Sequence, residues 1–198
     1  MRKGEKTRGT ILDGALKLAS ELGLEGLTLG RLANELDLSK SGLFAHFASK
    51  ENLQVQTLER AAERFTDVVV RPALAEPAGE KRLRALFERW LEWPKRVPQP
   101  GGCIFVAAAS ELDDRPGAAR DRLVELQRDW RVTVTRVVRR GQEVGAFRRD
   151  VDPEQVAFEI QGIGLGRHFA ARLLRDPRAG ERAWAAFERL VADIRARS

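Results

Sequence analysis

Thr28-Leu-Gly-Arg-Leu-Ala-Asn-Glu-Leu-Asp-Leu-Ser39-Lys-Ser-Gly-Leu-Phe-Ala-His-Phe-Ala-Ser49-Lys-Glu51 reads as two short helices joined by a tight turn, with a third helix starting behind them. Thr28 is a good N-cap, and Leu29, Leu32, Ala33 and Leu36 repeat at helical spacing on one face. The pattern stops at Asp37-Leu38, and Ser39 can cap a second helix in which Leu43 and Phe47 lie four apart, able to pack on the first. Lys40, Ser41, Gly42, Ala45 and His46 are then left facing outward, and Ser49 offers a third cap. An exposed, weakly basic first turn of small residues suits entry into the DNA major groove, because bulky side chains would hold the backbone away from the base edges. Two capped helices joined by a turn occur in many all-α proteins, so the flanking segments decide the reading.

Those segments are helical too. Ile11, Leu12, Ala15, Leu16, Ala19 and Leu22 form one stripe that ends at Gly23, a C-cap position. This helix can cover the back of the pair, giving a three-helix unit over about residues 7 to 47. From Ser49 a long helix is expected to stop at Arg71-Pro72, and a helix carrying Leu83, Leu86, Phe87, Trp90 and Leu91 follows a loop at residues 76 to 79. Pro94-Lys-Arg-Val-Pro-Gln-Pro-Gly-Gly102 is the strongest break in the chain. An apolar helix over residues 103 to 110 comes next, then a long one over about 118 to 143. Asp152-Pro153 opens a helix running to about Leu174, and the last helix spans about 178 to 196. No stretch alternates with a period of two, so the expected class is all-α.

Composition bounds the rest. The 198 residues are 43% hydrophobic and 32% charged, enough for a packed core, and no apolar run approaches the roughly 20 residues that span a bilayer. No signal peptide follows the charged start, and no membrane partner is expected. Cys103 is the sole cysteine, which excludes an intrachain disulfide and fits a reducing cytoplasm. The net charge of +6 fits a polyanionic partner. Arg2, Lys3, Lys6 and Arg8 would form a basic arm before the first helix, suited to phosphate contacts.

The chain resembles the TetR family of bacterial one-component transcriptional regulators. The resemblance is carried by Glu21-Leu22-Gly23, Leu27-Thr28-Leu29, Leu32-Ala33, Ser39-Lys40, Leu43-Phe44-Ala45-His46-Phe47 and Lys50-Glu51-Asn52-Leu53. It implies a helix-turn-helix DNA-binding domain over residues 1–50 and a larger helical ligand-binding and dimerisation domain over 51–198. It also implies a repressor that binds a palindromic double-stranded operator as a homodimer and leaves it on binding a small effector. Thr28 would touch phosphate, while Ser39, Lys40, Ser41, Gly42 and Ala45 would approach base edges or backbone. Lys40, the long donor among them, is the candidate for a guanine contact. Phe44 and His46 would meet phosphates, and Lys50 would add its charge to the next helix start. Asp37 stands where the family usually has a turn glycine, Gly42 falls one position late, and Phe44 replaces the commoner Tyr.

In the larger part, Gly162, Gly164 and Gly166 lie in a helical pattern beside Phe158, Leu165 and Phe169, which suits close helix approach. With Ala183, Phe187, Leu190 and Ile194 on the last helix, these residues are the expected dimer interface. A mainly apolar effector site is expected from Trp90, Trp93, Phe105, Val106 and Trp130, with Cys103, Ser110, Thr133 and His168 as scattered polar groups. Aromatics at this spacing also serve simply as core. Two alternatives stand beside the ligand-released repressor: a DNA-binding regulator with no effector, and a redox or electrophile sensor built on Cys103. With two histidines, one cysteine and no tyrosine, no catalytic site, metal site or cofactor site can be assembled, so an enzyme is not expected.

Overall fold

The computed structural model describes the backbone of residues 3–97 and 99–196 and the side chains from residue 8 onward. The order is α1 (Lys3–Gly26), α2 (Leu29–Glu35), α3 (Lys40–Phe47), α4 (Lys50–Phe65), a π-turn (Thr66–Val70), α5 (Arg71–Leu74), α6 (Glu80–Arg96), α7 (Ile104–Leu112), α8 (Ala118–Glu143), α9 (Pro153–Arg172) and α10 (Ala179–Ile194). Extended pairing among the described residues is confined to one bridge, Phe147 with Arg195. The fold is all-α, as the periodicity indicates.

Three boundaries differ from the sequence reading. Lys3, Lys6 and Arg8 of the basic arm have helical backbone and fall on the first turns of α1 instead of preceding it; Arg2 and the side chains of Lys3 and Lys6 lie outside the described residues. The helix from residue 50 does not stop at Arg71-Pro72. It loosens into the π-turn and resumes as α5, with Pro72 in the first turn, where a missing N–H costs no hydrogen bond. Likewise α6 passes through Pro94 and ends at Arg96. The break at Gly23 is as expected: its φ of 78° interrupts α1 in a conformation suited to glycine.

The described chain divides into two compact units, Met1–Phe65 with Pro94–Leu126, and Thr66–Trp93 with Gln127–Ser198. In the first, α1 packs on both α4 and α7, burying Ile11, Ala15, Leu16 and Ala19; Leu22, expected on the same stripe, is instead exposed. Asp13 of α1 clamps α4 by accepting from Arg60 Nε at 2.8 Å and Nη2 at 3.0 Å, and from Arg64 Nη2 at 2.5 Å. Burial alone would raise the Asp13 carboxyl, but the bonds from the two arginines outweigh it and hold the group below its ordinary value. A depressed folded value means the stabilisation is present above the unfolded pKa and is lost as pH falls through the folded one. Asp13→Asn is therefore expected to cost about 1–2 kcal/mol at pH 7, a modest figure for a half-exposed clamp, with the gap closing below about pH 4. Urea denaturation of both proteins at pH 7 and pH 3 checks this; an equal gap at both values would refute it.

The second unit is built on aromatic packing. Phe87 stacks on Phe187 with centroids 4.0 Å apart and planes 6° from parallel, and Trp184 lies 5.6 Å from each. Trp90 meets Trp130 at 5.1 Å. A Cβ on Gly164 would overlap the six-membered ring of Trp90, which explains one of the three helical glycines. Glu80 receives Arg195 Nη2 at 3.0 Å and Arg84 Nε at 3.4 Å, and Arg84 also pairs with Glu188.

Candidate nucleic-acid interface

Each cap of the opening stretch is used. The Thr28 hydroxyl accepts from Arg31 N at 3.2 Å, that of Ser39 from Gly42 N at 3.1 Å, and that of Ser49 from Asn52 N at 3.0 Å. Asp37 takes the left-handed turn, at φ 50°. A second strained position, Ala48 at φ 59°, links α3 to α4 and carries no sequence signal. Just ahead of it, the Phe47 carbonyl accepts from Asn52 Nδ2 at 2.9 Å. These bonds set where α3 starts and stops.

Burial then sets how α3 is rolled. Leu43 and Phe47 are inside, at 1% and 0% exposure, so Lys40, Ser41, Gly42, Phe44, Ala45 and His46 all face solvent. Phe44 is 59% exposed, a large apolar ring with no packing role that accounts for it. The His46 ring sits 6.2 Å from that of Phe47. Lys40 runs beside Gly30 of α2, where a Cβ would stand 3.5 Å from Lys40 Cε. Gly42 occupies the third helical position because a Cβ there would press on the capping Ser39 Oγ at 3.0 Å. The result is a smooth, donor-bearing first turn at a positive helix end.

Arg31 belongs with this surface and was not singled out from the sequence. It is exposed in the first turn of α2, and its Nη1 reaches the Gly26 carbonyl at 3.4 Å. Lys50 is less free than its position suggests. Its ammonium donates to Glu25 Oε2 at 3.2 Å, and Glu25 also draws Arg115 to 3.5 Å and Gln54 Nε2 to 3.4 Å. The Lys50 hydrogen bond is the main cause that holds the Glu25 carboxyl below its ordinary value. Glu25→Gln is expected to release Lys50 towards phosphate and steepen log K against log salt by about 0.9. Fluorescence anisotropy of labelled duplex DNA across salt concentrations measures that slope, and an unchanged slope would exclude Lys50 as a phosphate contact.

Residues 79–187 match the family model described as tetracyclin repressor-like, C-terminal domain, and residues 11–56 match that for bacterial regulatory proteins, tetR family. The chain belongs to the TetR family. That family consists of DNA-binding transcriptional regulators and not of enzymes. Among similar proteins is the HTH-type transcriptional repressor NicS of Pseudomonas putida, 26% identical over 203 residues that cover 98% of this chain and 92% of NicS. A TetR-family regulator from Cytophaga hutchinsonii superimposes with a TM-score of 0.89 at 20% identity, over 100% of this chain and 99% of that one. AibR, solved with isovaleryl coenzyme A and operator DNA, gives a TM-score of 0.70 at 21% identity, covering 93% and 96% of the two chains.

The remaining expected site residues of this TetR-family chain fall into distinct settings. Phe158, Leu165 and Phe169 are 60%, 42% and 53% exposed on α9, and Gly162 and Gly166 on the same helix open to free space. Ala183, Phe187, Leu190 and Ile194 of α10 are buried within the chain, the most exposed at 9%, so that part of the expected interface is corrected: the stripe is core. Trp130 lines a gap with Leu83, Leu86, Phe87, Val134 and Ile160 that has no room for a water molecule, and Trp90, buried, lies 5.1 Å from Trp130, so this cluster too is packed core. Trp93 and Cys103 are buried, and Phe105 lies edge-on to Phe65 at 5.8 Å with Val106 half-buried. Ser110 is exposed, and the Thr133 hydroxyl is committed to the Asp129 carbonyl of its own helix at 2.8 Å, so neither presents a polar anchor inside. His168 is half-buried, and burial first, then Arg172 and Arg167, push its imidazole below the usual value, keeping it neutral at pH 7. Cys103 itself is a buried cysteine at the start of α7.

Proposed function

We propose that this protein is a homodimeric repressor that reads a palindromic operator through the exposed first turns of α3 and is released by a small effector bound in its larger helical part. One observation carries the reading: α3 buries only Leu43 and Phe47, which leaves Lys40, Ser41, Gly42 and Ala45 as an unobstructed face beside the capped end of α2. Lys40 is assigned the direct base contact, and Thr28, Ser39, Phe44, His46, Lys50 and Arg31 the phosphate side of the groove. Functionally, residues 1–50 carry the DNA reading and 51–198 the dimer and the effector.

The dimer is assigned to the apolar face of α9. Phe158, Gly162, Leu165, Gly166 and Phe169 recur at helical spacing and stay open to solvent, a patch that a second copy would cover by close helix approach. Reading a palindromic operator requires two α3 helices about 34 Å apart, one turn of DNA. The release step is supported by fold alone: AibR, of the same fold, was solved holding an acyl coenzyme A and operator DNA. Among the described residues no helix is long and apolar enough to cross a membrane, and the proposed site of action is the cytoplasm.

Lys40→Ala tests the base contact. Specific binding is expected to weaken by about 1–3 kcal/mol with relaxed preference at one base pair of each half-site. Titration of the variant against single-base operator changes reads this out. Uniform weakening across all sequences would reassign Lys40 to the backbone.

A further inference from the structure

We propose that the first turn of α7 and the side-chain amide of Gln99 form a carboxylate-binding site, and that the effector carries the carboxylate on an apolar body. The inference rests on the ligand-released reading above and adds the chemical class of the ligand.

Gln99 is 3% exposed, and its backbone N–H, its carbonyl and its side-chain oxygen are all committed. Its N–H donates to the Pro94 carbonyl at 3.3 Å, its carbonyl accepts from Gly102 N at 2.8 Å, and its Oε1 accepts from Ile104 N at 3.1 Å. The last bond fixes which way the amide faces, since the reversed amide would set its NH2 group against the Ile104 N–H. It also holds the amide group at the start of α7. The Nε2 group, fully buried, has no acceptor among the described residues. Buried donors are rarely left in that state, and each calls for a partner.

The helix end beside it has the matching electrostatics. α7 is nine residues long, has no acidic residue in its first turn and receives no side-chain cap from Cys103. Its positive end, with the Gln99 amide held at it through Oε1 and the neutral Nε2 donor on that same amide, favours a single negative charge and disfavours a cation. The sequence Ile104-Phe-Val-Ala-Ala-Ala109 that follows is apolar, which suits a hydrocarbon body attached to the acid.

The donor is also held rigidly. Gly101 N donates to Ser20 Oγ at 3.3 Å, Ser20 Oγ donates to the Lys17 carbonyl at 2.8 Å, and Gly102 has a φ of 92°. A Cβ on Gly101 would overlap the Ser20 carbonyl, so the loop is pressed onto α1. A ligand bound to Gln99 therefore meets a preorganised group on a loop that Gly101 ties to α1, the helix that leads into the DNA-reading pair.

Thermal denaturation of the full-length protein with butanoate, hexanoate and benzoate, each beside its matched amine, tests the site. At ten times Kd a carboxylate is expected to raise Tm by roughly 3–6 °C and the amines not at all. Gln99→Glu keeps the acceptor for Ile104 N–H and removes the donor; Gln99→Met removes the donor without adding charge. Both are expected to lose the carboxylate shift, and the second guards against a charged variant that fails to fold. Equal carboxylate shifts in wild type and a folded variant would overturn the proposal, as would carboxylates that leave wild type unmoved. If the amines stabilise wild type and variants alike, the effector reading stands and the Gln99 site falls. If no compound of any class stabilises wild type, both fall.

Discussion

Gly101→Ala is expected to destabilise the protein by about 3 kcal/mol or more, lowering Tm by roughly 6–12 °C. The added methyl group would be driven into the backbone carbonyl of Ser20, which has no rotamer to escape into, so the α6–α7 loop or α1 must move. That movement would also break the Gly101 N to Ser20 Oγ bond, 3.3 Å long and buried. Gly180→Ala is the matched control, because a Cβ at that position of α10 meets nothing within 4 Å. Parallel melting curves decide the matter: a Gly101→Ala protein that melts with Gly180→Ala would mean that the loop does not sit on α1 as described.

Phe158→Arg combined with Phe169→Arg is expected to convert the protein to a monomer of 22.2 kDa and to weaken operator binding on the order of 100-fold or more. Both rings are more than half exposed on one face of α9, so the fold of the single chain should survive their replacement. What is lost is the apolar cover for a second copy and, with it, the simultaneous binding of two half-sites. Light scattering after size-exclusion chromatography gives the mass, and anisotropy gives the affinity. A double variant that remains a dimer would move the interface away from α9.

Local signals were the most legible part of the sequence. Thr28, Ser39 and Ser49 act as caps because a short hydroxyl at such a position has a backbone N–H within reach whatever surrounds it. The roll of α3 follows from Leu43 and Phe47 being its two large apolar residues on one side. Asp37 likewise announces a left-handed turn, whereas Ala48 at φ 59° announces nothing, since alanine has no chemistry that favours that conformation. Periodicity shows that a face is apolar but not which surface covers it. The α10 stripe of Phe187 and Leu190 therefore looked like an interface yet packs inside, while the glycine-spaced face of α9 stays open. Gly164 could be noted from sequence, but its reason, the Trp90 ring 74 positions earlier in the chain, is a tertiary fact. The same holds for Gln99, whose unpaired donor exists only once the loop is pressed onto α1.

Two copies of α3, presented by a dimer, are proposed to read DNA as a symmetric pair. Selection of bound sequences from a random duplex pool by the wild-type protein tests it most directly. The predicted result is an enriched inverted repeat with half-site centres about 10 base pairs or a multiple apart. Enrichment of a single unpaired half-site, or of no sequence at all, would contradict it.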